Sequence, residues 1–273
     1  TMRLPDSLLD DCLCDPSAPL ERDPARDYGL DKPQAQTQLA GLKEWLREQQ
    51  SMLMANRQDA LLLVLQGPDC AGKNGVVRRV LAGLDPLGMS AIGFQAPTPD
   101  ERREGFLQRY RERLPAPGTL GVFNRSYYEA LVSDVRDGLC AVADLPQRYG
   151  AIAEFEQRMH VRRIHPLKCY LQLSLGEQKR RLHRRLDHPE KRWKLTLGDL
   201  RDHRHFADHQ AQWAEVLGRT HRDAAPWYVI PADHRWLRDL IVASLLAREF
   251  ERLALSWPSR PAPFSHADLD GTP

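Results

Sequence analysis

From residue 34 to about residue 58, Leu39, Leu42, Trp45, Leu46 and Leu53 recur at three- and four-residue steps. That spacing gives one apolar stripe and predicts an amphipathic helix. The pattern changes at residues 60–65, a short unbroken apolar run followed by a glycine. Its length and the glycine favour a strand buried on both faces. Further strand-like runs fall at 90–96, 119–123, 168–174 and 226–231. Helical patterns lie between them, over 74–83, 100–114, 127–138, 151–163 and a long region from Glu177. A last helix is predicted from Arg235 to about Leu255, with Leu237, Leu240, Ile241, Leu245 and Phe250 apolar. Strands alternating with helices predict an α/β fold, a parallel sheet with helices on both faces. Pro5, Pro16, Pro19, Pro24 and Pro33 mark residues 1–33 as an extended surface arm. Pro258, Pro261 and Pro263 mark 257–273 as a tail, which leaves 34–256 as the domain.

Composition narrows the class. The chain has 273 residues, 42% hydrophobic and 28% charged, enough for a sizeable core and against global disorder. No apolar run approaches a membrane span of roughly 18 residues, and the acidic, Pro-dotted start does not read as a signal peptide. Cys12, Cys14, Cys70, Cys140 and Cys169 show no paired zinc spacing, so the expectation is a reduced, cytoplasmic protein. The net charge of only +2 predicts no general affinity for nucleic acid.

The first strand ends in Gly67-Pro-Asp69-Cys70-Ala71-Gly72-Lys73-Asn74-Gly75, and a helix follows. G-x-x-x-x-G-K in that context is the spacing of a phosphate-binding loop. Successive backbone N–H groups and the helix N-terminus would wrap a phosphate, with Lys73 supplying a full charge. A Ser or Thr that normally touches Mg²⁺ is replaced by Asn74. Asp69 is the candidate metal ligand instead, because a carboxylate among bound phosphates makes sense chiefly if a divalent cation bridges them.

A second strand ends in Asn124-Arg125-Ser126-Tyr127-Tyr128-Glu129. Ligands of parallel sheets bind outside the carboxyl ends of strands, so these polar groups are candidates. Asn124 could accept from metal-bound water, or simply cap a helix. Arg125 would neutralise charge on a transferring phosphoryl group.

The stretch 177–194 holds eight Lys or Arg against three acids. Leu182 and Leu186 are expected to face the protein, leaving Arg180 with Arg184, and Arg181 with Arg185, as two cationic stripes. Such a run is often only a solvated face. Beside a phosphate loop it reads as a lid, at about 177–200, dense enough for a polyanion. His205 and His209, four apart, permit a metal site but lack a third ligand. Trp193 and Trp213 are expected to pack the lid. The polar turn at Asp233 and His234 also follows a strand.

The blocks GPDCAGKNG (67–75), FNRSYYEALV (123–132), EQKRRLHRRLDHPEKRWK (177–194) and APWYVIPADHRW (225–236) resemble the polyphosphate kinase 2 family in its single-domain form. The similarity runs from about residue 30 to 255. It implies a three-layer, thymidylate-kinase-like P-loop fold, Mg²⁺ dependence and homo-oligomers, dimeric or tetrameric. It also implies phosphoryl transfer between inorganic polyphosphate and nucleotides. Carried over by residue, Asp69 resembles the family's metal-binding aspartate and Lys73 its phosphate lysine. Asn124 and Arg125 match the second motif. Lys179, Arg180, Arg184, Lys191, Arg192 and Lys194 resemble lid contacts to polyphosphate. The chain departs from the family at Asn74, and at Ala130, where similar members carry Asp after Tyr-Glu. The reading is therefore a Mg²⁺-dependent polyphosphate:AMP or polyphosphate:ADP phosphotransferase. Two alternatives stand beside it: an ATP-dependent nucleotide kinase, and a binding homologue whose turnover is reduced by Ala130.

Overall fold

The architecture follows from one short apolar run. In the computed structural model, which describes residues 2–271, β1 (Ala60–Gln66) is buried along its whole length. Its side chains alternate between faces. Leu61, Leu63 and Leu65 enter one core, and Ala60, Leu62 and Val64 the other. β1 is therefore the central strand of a five-stranded sheet with order β2-β3-β1-β4-β5. The others are β2 (Met89–Gly93), β3 (Leu120–Asn124), β4 (Ile164–Gln172) and β5 (Trp227–Pro231). Every pair is parallel, with Leu65 opposite Asn124 and Gln66 opposite Tyr170.

In chain order the helices are α1 (Asp6–Asp11), α2 (Lys32–Asn56), α3 (Lys73–Val80), α4 (Pro99–Arg103), α5 (Gln108–Arg111), α6 (Ser133–Arg136) and α7 (Leu145–Val161). They continue with α8 (Leu175–Asp187), α9 (Pro189–Arg192), α10 (Leu197–Arg204), α11 (Phe206–Thr220), α12 (Arg235–Leu253) and α13 (His266–Asp270). Helices α2, α3 and α12 supply the core on the Leu61 face; α7 and α11 supply the other. The result is the three-layer α/β arrangement expected from the alternation. α2 starts where Asp31 accepts from the Gln34 amide and ends at Arg57 in the left-handed region.

Three local expectations change. Residues 2–33 are not simply extended: they include α1 and bury Leu4, Leu9, Cys12 and Cys14. Backbone bonds from Cys14 N to Trp227 O (2.9 Å) and Val229 N to Cys12 O (2.7 Å) lay the segment along β5. Its apolar residues lack a regular period because this is edge pairing. The patterns at 100–114 and 127–138 each break into short helical turns. On α8, Leu182 packs on the core but Leu186 is half exposed; Gln178 and Arg181 are the buried residues. Among the described residues, no helix is long and apolar enough to cross a membrane.

Candidate active site

Both central strands end at the same place. After β1 the chain turns through Gly67 (φ 148°), Cys70 (φ 69°) and Gly72 (φ 102°) into α3. Glycine is required at both glycine positions by angle and by space. A Cβ on Gly67 would lie 2.6 Å from the Leu171 carbonyl oxygen, and one on Gly72 1.9 Å from Arg238 Nη1. Lys73, Asn74 and Gly75 occupy the first turn of α3, whose N–H groups have no acceptor within the helix. Lys73 is buried, and its Nζ donates to the carbonyls of Gly67 (2.7 Å) and Pro68 (3.2 Å). Burial, reinforced by the charge of Arg125, pushes its ammonium down to about 8.

After β3, Arg125 takes the left-handed region (φ 65°) while its N–H donates to Leu65 O at 2.9 Å. A non-glycine residue in that region is strained, and the strain aims this side chain back over the loop. Arg125 Nη2 donates to Asp69 Oδ1 at 3.1 Å. The side chains of Asn124 and Asn74 bond to each other across the two strand ends. Behind them Ser126 Oγ donates to Gln66 Oε1 (2.8 Å), and Gln66 Nε2 to Glu129 Oε1 (2.8 Å). A fully buried cluster supports that turn: Tyr127 and Tyr128 donate to Glu156, and Lys168 Nζ donates to Tyr128 Oη at 2.8 Å.

Two cavities meet at Arg125, Phe94 and Gln95. The larger, about 690 Å³, runs over the loop and under the lid and is lined by eleven Lys or Arg against two Asp. The smaller, about 160 Å³, is walled by Phe94, Phe106 and Tyr110. Its charges are nearly balanced: Arg148 donates to Asp134 (2.6 Å) and to the Ala130 carbonyl (2.8 Å).

Of the residues singled out from sequence, Asp69, Cys70, Gly72, Lys73, Asn74, Gly75, Asn124, Arg125, Arg184, Lys191 and Lys194 line the large cleft. Gly67 lies outside it against Leu171, and Ala71 is fully buried. Lys179 and Arg180 are exposed elsewhere, Arg180 paired with Glu177 at 2.7 Å. Arg192 donates to Leu186 O at 2.7 Å and finishes α8 rather than entering the cleft. Neither tryptophan packs the lid as expected: Trp213 lies in the core on α11 against Tyr170, and Trp193 is 77% exposed at the cleft rim. His205 and His209 have ring centroids 6.4 Å apart, and among the described residues no group of three or more potential ligands gathers for a metal. Asp233 does not reach the cleft: it accepts from Ser174 N (2.9 Å) and Oγ (2.6 Å) at the start of α8.

Sequence reading missed Arg78, Arg79, Arg235 and Arg238 in the cleft wall, while Arg181 and Arg185 of the second expected stripe do border it. Two signals could have found them. α3 is only eight residues long, so Arg78 and Arg79 stay near the loop. Arg235 and Arg238 follow the carboxyl end of β5, where ligands of parallel sheets bind.

A hard divalent cation suits this donor set only in one mode. Mg²⁺ commonly takes one or two carboxylates and completes its shell with phosphates and water. Asp69, in the cleft, would supply the carboxylate. Both Glu129 oxygens are already bonded, to Gln66 and Ser133.

The family model described as polyphosphate kinase 2 matches residues 29–254. An AMP/ADP-polyphosphate phosphotransferase of Meiothermus ruber is 38% identical over 220 residues, 81% of this chain and 82% of that protein. An ADP-polyphosphate phosphotransferase of Rhodopseudomonas palustris is 36% identical, covering 79% of this chain and 78% of its own. The crystal structure of polyphosphate kinase 2 from Arthrobacter aurescens TC1 superposes with TM-score 0.88 at 35% identity, covering 96% of this chain and 95% of that one.

Proposed function

The chain belongs to the polyphosphate kinase 2 family, and from that premise we propose that it moves a phosphoryl group between inorganic polyphosphate and AMP or ADP. The observation that carries this is the pairing of two unlike cavities at one arginine. Even with Arg181 and Arg238 set aside because they hold the loop's own carbonyls, the nine remaining cations of the cleft exceed what a single triphosphate needs and suit a long polyanion. The smaller cavity, with aromatic walls and balanced charge, suits a nucleoside. They share Arg125, so the ends of the two substrates meet beside Lys73 and Asp69.

The acceptor is itself an anion, so positioning and charge neutralisation supply most of the rate. Lys73 leaves the Gly67 and Pro68 carbonyls to reach the phosphates. Arg125 neutralises charge on the transferring group. Arg184, Lys191 and Lys194 hold the polyphosphate from the lid. Asp69 would hold Mg²⁺, which when bound offsets charge on the phosphate oxygens. Asn124 and Asn74 line the same face and would hydrogen-bond water around the ion. The lid contacts named from the resemblance thus reduce to three, with Arg78, Arg79, Arg185 and Arg235 joining them. A homo-oligomer, dimer or tetramer, belongs to the same proposal and is read directly by light scattering.

The test is incubation with Mg²⁺, polyphosphate of defined lengths and each nucleoside mono- or diphosphate, with product identification. ATP or ADP formed at a rate that depends on chain length is expected. Transfer from ATP alone, indifferent to polyphosphate, overturns the assignment. Ala130 lies on the nucleotide side, in the smaller cavity. Ala130→Asp is therefore expected to shift KM for the nucleotide severalfold and leave KM for polyphosphate within about twofold.

A further inference from the structure

The phosphate loop is gripped from outside by the foot of the lid. Three consecutive loop carbonyls accept from buried side chains outside the loop, two of them on α8 and one on α12. Gln178 Nε2 donates to Asp69 O at 3.0 Å. Arg181 Nη1 donates to Cys70 O at 2.9 Å and to Ala71 O at 3.4 Å. Arg238 Nη1 donates to Ala71 O at 2.8 Å. Gln178 and Arg181 stand on α8, about two turns and one turn before Arg184 and Arg185, which line the cleft.

Arg181 has no donor left for a substrate. Its Nε donates to Glu177 Oε1 (2.7 Å), and its Nη2 to Ala232 O (2.8 Å) and Asp233 O (2.9 Å). With the two loop carbonyls, these account for all five guanidinium N–H groups. Only 3% of the residue is exposed. Arg181 borders the cleft as Arg184 and Arg185 do, but its donors are all spent on backbone carbonyls and on Glu177.

The consequence lies in the peptide planes. In a trans peptide the carbonyl and the following N–H point opposite ways. Holding the carbonyls of Asp69 and Ala71 outside fixes the N–H groups of Cys70 and Gly72 the other way, and both residues line the cleft. It also keeps carbonyl oxygens, which repel phosphate, out of it. Gln178 is oriented in turn by His203 of α10, whose Nδ1 lies 2.7 Å from Gln178 Oε1.

We propose that Arg181, with Gln178, is a positioning residue: it couples the lid helix to the phosphate loop by holding the Asp69–Ala71 carbonyls outward, and it does not bind polyphosphate. This rests on the reading of the cleft as the polyphosphate site, but the coupling also has a readout that needs no turnover.

The experiment compares Arg181→Met, Arg181→Lys and Gln178→Leu with Arg184→Gln in the full chain. Arg184→Gln is expected to raise KM for polyphosphate and to lower the dependence of log KM on log salt by about one unit. Arg181→Met is expected to lower kcat at least tenfold with that salt dependence unchanged, and Arg181→Lys to recover part of the loss. Amide hydrogen exchange without substrate is expected to rise at least tenfold at residues 69–75 in Arg181→Met and Gln178→Leu, and to stay unchanged there in Arg184→Gln. A lowered salt dependence with normal kcat in Arg181→Met would make it a polyphosphate contact and overturn the proposal. So would a folded Gln178→Leu with wild-type kcat and wild-type exchange at 69–75, even if Arg181→Met fails to fold. Absence of transfer by the wild type would count against the functional reading alone, since exchange still reports the coupling.

Discussion

Arg125 Nη2 lies 3.1 Å from Asp69 Oδ1, so the two charges proposed to serve opposite ends of the reaction are paired with each other in the free protein. The pair joins the ends of β1 and β3 across the mouth of the cleft. Under the proposed function, Arg125 would turn from Asp69 toward the phosphoryl group as substrates enter, which would free the Asp69 carboxylate to hold a metal. The pair thus keeps a carboxylate compensated in a cleft otherwise crowded with cations.

Asp69→Asn separates those roles. The amide still accepts from Arg125, so the loop stays in place, but the charge for the metal is gone. The expected result is a fall in kcat of about 10³, roughly 4 kcal/mol of transition-state stabilisation. Polyphosphate affinity should hold or tighten, because one negative charge leaves the cleft. A rate-against-Mg²⁺ titration that superposes on the wild type would remove Asp69 from the metal's shell.

Gly72→Ala meets two obstacles at once. The backbone sits at φ 102°, which costs an L-residue about 1–3 kcal/mol. The new methyl would also lie 1.9 Å from Nη1 and 2.7 Å from Cζ of Arg238, a fully buried side chain tied to Asp239 and Ala71. Gly83→Ala is the control, with φ 93° and nothing within 4 Å. Denaturation should show Gly72→Ala losing clearly more stability than Gly83→Ala, and only Gly72→Ala losing activity, at least 100-fold. Equal losses in both would mean that Arg238 yields freely.

Much of this organisation was legible in sequence, and the reasons are local. β1, its glycines and Lys73 announce themselves because one continuous segment supplies strand, turn and helix start. Asn124 and Arg125 were legible for the same reason. Arg181 and Arg185 were not separable: they share a stripe by spacing, yet Arg181 is buried on carbonyls and Arg185 faces the cleft. That difference depends on where β5 ends, which no spacing on α8 encodes. The smaller cavity was likewise invisible, since Phe94, Arg109 and Arg148 come from three segments. Residues 2–33 were misread because their apolar residues dock one at a time along β5 and α12.

Lys168 and Glu156 form a buried pair at 3.3 Å beneath Tyr127 and Tyr128. Removing one partner strands the other in the core. Lys168→Met is expected to cost about 3–5 kcal/mol in urea unfolding. Lys168→Met combined with Glu156→Gln should recover a good part of that loss, because no uncompensated charge remains. A double variant no more stable than Lys168→Met would show that the tyrosine hydroxyls, not the ion pair, hold the site's foundation.

Lys73 offers a test of anion binding that needs no chemistry. Burial holds its ammonium down at about 8 in the free protein. Polyphosphate brings negative charge to it and favours the protonated form, so its value must rise on binding. At pH 8 about half the free molecules carry the proton, and binding should take up about half a proton per site. At pH 6.5 the lysine is already charged and its uptake should be near zero. Above pH 8 affinity should fall toward tenfold per pH unit, until the raised value in the complex is reached. Long-chain polyphosphate suits the measurement, because its interior units carry no proton that titrates near pH 8. Calorimetry in buffers of different ionisation enthalpy reads the uptake directly. Lys73→Arg, charged throughout this range, should bind with no proton uptake at pH 8. Uptake that persists in Lys73→Arg would place the titrating group elsewhere and leave the loop lysine fully charged in the free protein.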